Sequence, residues 1–535
     1  MSHAADFPRP YRRSRDQDHA TPARHRVVIV GGGPVGLALA VDLGQRGIAC
    51  VVVDGKAAFG EGSRGLCYAK RTLEILDRLG VGARAVDKGV TWQHGKVFHG
   101  TRLLYQFNLL PEGGHKMPAF INLQQYYIEQ FLYERAQELP EVDLRFQHKC
   151  VGLGTFPDHS RIEVETPEGP YALEADWLVA CDGSRSKVRE LMGLSFEGRV
   201  FEDRFLIADV KMPADFPAER WFWFDPPFNP GESALLHKQP DDVWRIDLQL
   251  GRDADPIEER KPERVRPRLE AMLGKDRPFE FEWISIYTFQ CRRLQSFLHG
   301  RVIFAGDAAH LVSPFGARGF NSGVQDTDNL AWKLAAVLEG QAPPALLATY
   351  RREREAAADE NILNSTRATD FITPKSPASH TIRNAALSLA AESPFARTLV
   401  NSGRLSTPST YDTPLSTEDT APFGGVARLG APLPDAPMRR ADGQPAWLLD
   451  ALGPRFTLLY CGTELPCPLP GTMRLVRIGH DLTDADGLFQ QRYDAQPGSA
   501  WLVRPDQHLA ARFRRLDGAG LKAATQRALG WELRA

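Results

Sequence analysis

The chain has 535 residues, 43% of them hydrophobic and 25% charged, and 65 Lys and Arg against 67 Asp and Glu leave a net charge of −2. That length exceeds what one hydrophobic core serves and points to about three domains. The near-neutral charge excludes binding dominated by nucleic acid or an anionic membrane. No apolar run approaches the ~18 residues that a membrane span needs.

Residues 1–24 are rich in Arg but also carry Asp6, Asp16 and Asp18 and lack an apolar stretch. This excludes a secretory signal and reads as a disordered leader, with an organelle-targeting segment as the alternative. Next, "HRVVIV" and "IACVVVD" (Ile48 to Asp54) read as fully buried strands. Between them Val35, Leu39 and Leu43 recur at helical spacing, and Gly47 ends the helix. Strand, tight turn, helix and strand make a right-handed βαβ unit in a parallel sheet.

From about Phe201 to Tyr287 the texture changes: "RWFWF", "ESALLHK" and "VWRIDLQL" cluster aromatic and β-branched residues between turn signals, as in an inserted antiparallel sheet. "RVIFAGD" returns to the buried-strand pattern. A helix is predicted from near Asn321 through Val324, Leu330, Leu334 and Leu338 to a Gly340 cap. A Ser/Thr/Pro-rich connector spans Leu405 to Gly425, and "FTLLYCG" and "MRLVRIG" read as strands of a small terminal α/β domain. The expected boundaries are a leader at 1–24, a discontinuous nucleotide domain at 25–200 and 296–400, a sheet insertion at 201–295, a linker at 401–425 and a terminal domain at 426–535. The seven cysteines, Cys50, Cys67, Cys150, Cys181, Cys291, Cys461 and Cys467, show neither metal-ligand spacing nor a CxxC pair. They read as reduced thiols of a cytoplasmic protein with no metal centre.

Three motifs carry the chemistry. Gly31, Gly33 and Gly36 form G-x-G-x-x-G between strand and helix, a turn that lets a pyrophosphate approach the backbone and the helix N-terminus. Asp54, at the end of the second strand, lies 18 residues past the last of these glycines, near the ~20 expected for a ribose-binding acid. "LVACDGSRSKVRELMG" puts Asp182 and Gly183 after a buried strand, with Ser186 and Arg189 entering a helix. "GDAAHLVSPFGARGFNSGVQD" puts Gly306 and Asp307 after another. Read singly, the last two are Asp-capped turns; all three in this order point to one dinucleotide.

Together these motifs resemble the group A flavoprotein monooxygenases, the aromatic hydroxylases built like para-hydroxybenzoate hydroxylase, over about Arg26 to Leu338. The tail, with "LVRPDQHLAARF", resembles that of the phenol and hydroxyphenylpropionate hydroxylases. The fold implied is α/β (α+β overall): a Rossmann-like FAD-binding domain, an inserted antiparallel-sheet substrate domain and a C-terminal thioredoxin-like domain. Cys461 and Cys467 are too far apart for a redox pair, so that domain is expected to serve packing or oligomer contact.

The resemblance implies that Gly31, Gly33, Gly36 and Asp54 hold the ADP part of FAD. Gln125 then contacts the ribityl region, Asp307 the ribityl or pyrophosphate, and Asp182-Gly183 lie near both cofactors. The backbone of Gly319, Phe320 and Asn321 meets the isoalloxazine edge, and Arg64 lies in the loop over the flavin. Pro34, Val35, Lys56, Gly306 and Pro314 complete the cofactor set. His310 is expected to be structural. Where the family commonly has Gly-Gly, this chain has Gly316-Ala317, a departure expected to narrow the loop slightly.

The activity implied is hydroxylation of a phenolic or other electron-rich aromatic ring through a C4a-hydroperoxyflavin, with NADH or NADPH as transient reductant and O2 as co-substrate. No second glycine motif marks a nicotinamide site. Tyr287 is the candidate contact to the substrate hydroxyl, with a half-buried core tyrosine as the alternative. His237 is a candidate for orienting or deprotonating the phenol, with a surface position at a strand end as the alternative. Arg245 is a candidate facing the flavin, with a cross-strand ion pair as the alternative. The run Trp221–Phe224 is expected to line the pocket or to pack the sheet. A Baeyer–Villiger oxygenase, a flavin reductase and a flavin-binding redox sensor remain open, as does a homodimer; neither nucleic acid nor a membrane is an expected partner.

Overall fold

A computed structural model describes residues 8–59, 65–251, 253–400 and 405–533. Its first sheet has five parallel strands in the order Val302–Phe304, Tyr171–Ala180, Ala23–Val30, Cys50–Asp54 and Val142–Phe146. Val28, Ile29, Val52, Val53, Leu178, Val179 and Ile303 are fully shielded from solvent. The Pro34–Gln45 helix packs on this sheet and the antiparallel strands Lys149–Thr155 and Ser160–Glu165 fold back on it, so its strands read as unbroken apolar runs rather than alternating ones. Ligands of such sheets bind beyond the carboxyl ends of the strands. Gly31, Asp54, Asp182 and Gly306 all follow or end strands there.

The predicted helix between the first two strands runs Pro34–Gln45, and Gly47 follows it in the left-handed region at φ 75°. The long helix runs Gly319–Leu338, starting two residues before the expected Asn321. Its N-cap is Arg318, whose side chain makes no capping hydrogen bond, so the usual Ser/Thr/Asp/Asn signal is missing.

The second sheet is antiparallel at its centre, with Glu280–Arg293, Glu197–Lys211, Val243–Leu250, Ser233–Lys238 and Arg220–Phe224 in that order. It extends beyond the expected 201–295, because the hairpin His94–His99 and Arg102–Asn108 pairs onto Arg220–Phe224. One face packs Leu206, Trp244, Ile246 and Leu248 against Val265 and Leu269 of the Pro262–Leu273 helix. The opposite face turns toward the cofactor half. A third, seven-stranded mixed sheet holds the C-terminal strands, including Thr457–Cys461, Arg474–Ile478 and Ala500–Val503, with a helix at Gly518–Ala528.

Two expectations need correction. The part of the leader from Pro8 to Pro22 is not loose: Arg9 is 1% exposed, Ser14 caps a short 3-10 turn, and the first strand starts at Ala23. The described part of the connector has no helix or strand from 405 to 425, yet Tyr411 and Leu415 are buried and Ser406 N–H donates to Gly316 O at 2.9 Å. Composition revealed its irregular backbone but not its anchoring.

Candidate functional site

The glycine turn is built for a backbone-hugging ligand. Gly31 has φ 111°, and a Cβ there would overlap the carbonyl oxygen of Cys181; a Cβ on Gly36 would overlap the Gly31 carbonyl oxygen. Those two glycines let turn, strand and helix close up. At Gly33, in contrast, an added Cβ meets nothing within 4 Å. That open space lies at the N-cap of the Pro34–Gln45 helix, which no side chain caps, where the helix offers free N–H groups and its positive end. Asp54 Oδ2 accepts from Gly32 N–H at 2.7 Å and Oδ1 from Lys56 N–H at 2.8 Å, so Lys56 takes part through its backbone.

The other two motifs close on the same space. Asp182 Oδ2 accepts from Val188 N–H at 3.0 Å, while its buried Oδ1 has no hydrogen-bond partner among the described residues, and burial pushes its carboxyl above the usual carboxylate range. Gly183 follows with φ 80°. Asp307 is exposed between the buried residues Gly306 and Ala308. An added Cβ on Gly323 would meet Val35 Cγ2 at 2.9 Å and Gly306 Cα at 3.2 Å, so this glycine lets the long helix seat against both motifs.

At the start of the long helix, Ser322 N–H donates to Arg318 O at 2.8 Å, as the first intrahelical bond leaves the preceding N–H groups of Gly319, Phe320 and Asn321 outside the ladder. The Asn321 side chain is spent on the chain itself: Oδ1 accepts from Ala69 N–H at 2.9 Å, and Nδ2 donates to Cys67 O at 2.8 Å and to Ala317 O. Phe320 packs edge-on against Tyr68 at 5.2 Å. Pro314 is exposed, and its carbonyl accepts from Ala317 N–H at 3.0 Å. Ala317 has φ 52°, a left-handed conformation that glycine adopts at less cost. His310 is buried and bonds Asp326 at 2.7 Å, a structural position.

Sequence reasoning missed Arg9. Its guanidinium donates to Gly32 O at 2.9 Å and to Glu129 Oε2 at 3.3 Å, and lies over the rings of Phe59 and Phe146 at 4.0 and 4.5 Å. Glu129 Oε1 accepts from Gln125 Nε2 at 2.7 Å, and Gln125 Oε1 accepts from Gly65 N–H at 2.8 Å. A continuous polar chain thus ties the glycine turn to the segment after residue 64. Arg64 itself lies outside the described residues. An exposed leader composition gave no sign of this contact.

These donors fit FAD: an open phosphate cradle at a helix end, an acid at the ribose position, an orphaned acceptor at Asp182 and a second helix end at Gly319. Beside that end a cavity is lined by Tyr105, Phe107, Phe222, Phe224, Phe315 and Arg220, among others. The aromatic run divides with strand periodicity. Phe222 and Phe224 line the cavity, whereas Trp221 and Trp223 pack on the opposite face.

On the cavity side of the sheet the strand register sets rows. His237 pairs with Arg245 and Arg245 with Asp209; one row on, Phe222, Leu235, Asp247 and Ile207 are consecutive partners. Arg245 Nε and Nη2 donate to Asp209 Oδ1 and Oδ2, both at 2.8 Å. The expected cross-strand ion pair is present. His237 is 3% exposed, not at the surface, and stands edge-on to Trp92 at 6.2 Å. Burial, with Arg220 and Arg245 close by, holds its pKa well below the ordinary value and keeps the ring neutral.

Tyr287 pairs with Phe205 on the cavity face but is 43% exposed and does not line the cavity; its ring stands 5.8 Å from Phe289. The reason is topological. The edge strand His310–Leu311 pairs with Arg292 and Arg293, and Tyr287 lies five residues before that pairing.

Two further missed residues are Arg220, which lines the cavity, and Asp247, which shares the strand-register row of Phe222. Arg220 is 8% exposed and, among the described residues, makes neither a hydrogen bond nor an ion pair, and burial lowers its pKa. Asp247 Oδ1 is buried without a hydrogen-bond partner among the described residues, and burial, aided by Asp209, pushes its carboxyl up to about 6 against the pull of Arg245 and Arg220. The available signal was period two: Asp247 follows Arg245 by two residues, and Arg220 precedes Phe222 by two. Arg318 also borders the cavity but donates to Phe315 O at 3.0 Å. Among the described residues no His/Cys/Asp/Glu group could hold a metal ion, and no helix is long and apolar enough to cross a membrane.

Residues 24–365 match the model of the FAD binding domain family. The chain is 30% identical over 516 residues to the 12-dehydrotetracycline 5-monooxygenase/anhydrotetracycline 6-monooxygenase of Streptomyces rimosus subsp. rimosus, covering 91% of this chain and 95% of that one. It is 28% identical over 531 residues to a 3-(3-hydroxy-phenyl)propionate/3-hydroxycinnamic acid hydroxylase of a Mycobacterium species, covering 92% and 90%. The crystal structure of the flavin-dependent monooxygenase PieE with FAD and substrate superposes with a TM-score of 0.81 at 23% identity, covering 95% of this chain and all of that one, which supports the fold. With the glycine cradle, the orphaned acid and the two helix ends in place, the chain belongs to the FAD binding domain family and is an FAD-dependent monooxygenase.

Proposed function

We propose that the enzyme hydroxylates an electron-rich aromatic ring bearing an ionised oxygen, and that this oxygen faces Arg220 in the aromatic cavity. The observation that carries the reading is a buried guanidinium without a hydrogen-bond or ion-pair partner among the described residues, set among Phe222, Phe224 and Phe315. A desolvated cation in an apolar site is costly unless an anion joins it. Holding a phenol as its phenolate also raises the ring's nucleophilicity, which oxygen transfer to a ring requires. Two relatives named for hydroxyphenyl-propionate and tetracycline chemistry support the class.

Bound FAD supplies hydride acceptance from NADH or NADPH and activation of O2. Around it the residues Gly31, Gly33, Gly36, Asp54, Gln125, Asp182 and Asp307 hold the cofactor. The N–H groups at Gly319–Asn321 offer a positive helix end to the ring's electron-rich edge, and the cavity aromatics exclude water. His237 stays neutral and orients rather than deprotonates. Residues 25–200 and 296–400 act as the FAD-binding unit, the segment 201–295 as the floor of the substrate cavity and 426–535 as a thioredoxin-like domain. Seven free thiols support a reducing, cytoplasmic setting, and the enzyme assembles as a homodimer.

The test is substrate-stimulated NAD(P)H oxidation with labelled O2 across phenols, salicylates and hydroxyphenylpropanoids. One labelled oxygen on the ring carries the proposal. A lactone or ester product indicates Baeyer–Villiger chemistry, and reductant consumption without incorporation indicates a reductase or a sensor.

A further inference from the structure

One loop of the C-terminal domain, Arg504-Pro505-Asp506-Gln507-His508, is buried against the cofactor half. Arg504, Asp506, Gln507 and His508 are each at most 4% exposed. Arg504 Nη1 and Nη2 donate to Glu353 Oε1 and Oε2 at 2.9 and 3.0 Å. Glu353 Oε2 also accepts from Lys333 Nζ at 2.7 Å and Asn329 Nδ2 at 2.6 Å, both on the Gly319–Leu338 helix. Asp506 Oδ2 accepts from Trp332 Nε1 at 3.0 Å on that same helix. Arg71 donates to Gln507 Oε1 at 2.7 Å and to Asp506 O at 2.8 Å, and pairs with Asp328 at 2.9 Å.

A second branch runs from the loop to the flavin motif itself. The His508 ring stacks on Tyr411 at 4.6 Å. Tyr411 Oη accepts from Arg354 Nη1 at 2.8 Å, and Arg354 Nε donates to Asp326 Oδ1 at 2.6 Å. Asp326 Oδ2 accepts from Gly306 N–H at 2.9 Å and bonds His310 Nε2 at 2.7 Å. Gly306 precedes Asp307, one of the cofactor residues.

We propose that the Arg504–His508 loop is a positioning element for the flavin: it sets the register of the Gly319–Leu338 helix and, through Tyr411, Arg354 and Asp326, the placement of the Gly306–Asp307 turn. Buried ionic networks do not outdo apolar packing in holding two surfaces together; what directional bonds add is a unique arrangement. The placement matters here because the same helix presents its N-terminus to the ring and its flank to the motif turn. The loop lines neither the aromatic cavity nor the glycine turn, so its residues are positioning rather than catalytic.

The experiment uses the full-length holoenzyme with Tyr411→Phe, which removes only the hydroxyl, and Arg504→Lys, which keeps the charge but loses the two-pronged bond. Arg492→Gln is the control: it sits at a separate junction of the same two domains, donating to Gly114 O at 2.6 Å and Gly113 O at 2.5 Å. Readouts are thermal midpoint, the bound-flavin absorption spectrum, FAD affinity and the ratio of hydroxylated product to NAD(P)H consumed. We expect Tyr411→Phe and Arg504→Lys to shift the flavin bands, lower the coupling ratio and weaken FAD binding about five-fold, the scale of one buried hydrogen bond. Arg492→Gln is expected to lower only the midpoint. If all three lower the midpoint while spectrum, affinity and coupling stay at wild-type values, the loop merely docks a domain and the proposal is overturned. Should Tyr411→Phe or Arg504→Lys fail to fold, the other decides by the same four readouts; if both fail, His508→Gln, which removes the stack on Tyr411 and the Nδ1 contact to Asp506 O, decides by them.

Discussion

Arg245 and Asp209 stand directly opposite each other on neighbouring antiparallel strands and close two buried hydrogen bonds of 2.8 Å. Asp209 Oδ1 also accepts from Gln239 Nε2 at 2.9 Å. Arg245→Met strands Asp209 as a buried anion and is expected to cost about 3–5 kcal/mol in urea unfolding, whereas Arg245→Met combined with Asp209→Leu recovers most of it.

Arg220 differs because no described residue closes an ion pair with it. Replacing it with Met removes a desolvated cation, so the apoprotein should be no less stable and should keep its FAD. KM for an anionic phenol should rise by roughly ten- to a hundred-fold, the value of one charge-assisted contact. Steady-state kinetics beside urea unfolding check both halves. A stability loss of several kcal/mol would make Arg220 structural.

Asp247 gives the site a pH dependence. Its carboxyl is pushed up to about 6 by burial, above the ~3.9 of an unfolded Asp. The folded form therefore favours the proton. Below pH ~4 both states hold the proton and there is no penalty; stability is then lost as pH rises through 6, by up to about 2–3 kcal/mol. Above pH 6 the ionised carboxylate also competes with substrate for Arg220. In Asp247→Asn, KM for an anionic substrate should stay flat from about pH 5.5 to 7.5, while that of the wild type rises several-fold, an interval set by the same shift.

Gly33 and Gly36 belong to one motif yet make opposite predictions. Gly36→Ala drives a methyl group into the Gly31 carbonyl and should destabilise the apoprotein by more than about 2 kcal/mol. Gly33→Ala meets no protein atom within 4 Å, so apoprotein stability should hold while FAD binding weakens roughly ten-fold or more. Thermal unfolding of the two apoproteins and titration with FAD separate these outcomes.

The glycine turn, the three strand ends and the Gly319 helix were legible because each imposes a backbone constraint that few residues satisfy. Side-chain roles on the sheet floor were not. Period two puts Arg245, Asp247 and Asp209 on one face, but only strand order reveals that Asp209 stands beside Arg245. Tyr287 shares that face and still lies at an exposed edge, a fact of strand neighbours rather than of local pattern. Arg9 was hidden by its polar surroundings, since its partners lie 23 and 120 residues away.

That arm bears on the cofactor cradle. The Arg9 guanidinium lies over the rings of Phe59 and Phe146 and bonds Gly32 and Glu129, so its full set of contacts exists only when all four are in place. The arm thus acts as a latch beside the cradle for the cofactor's phosphates. A chain whose arm is unlatched presents that cradle with its side wall open.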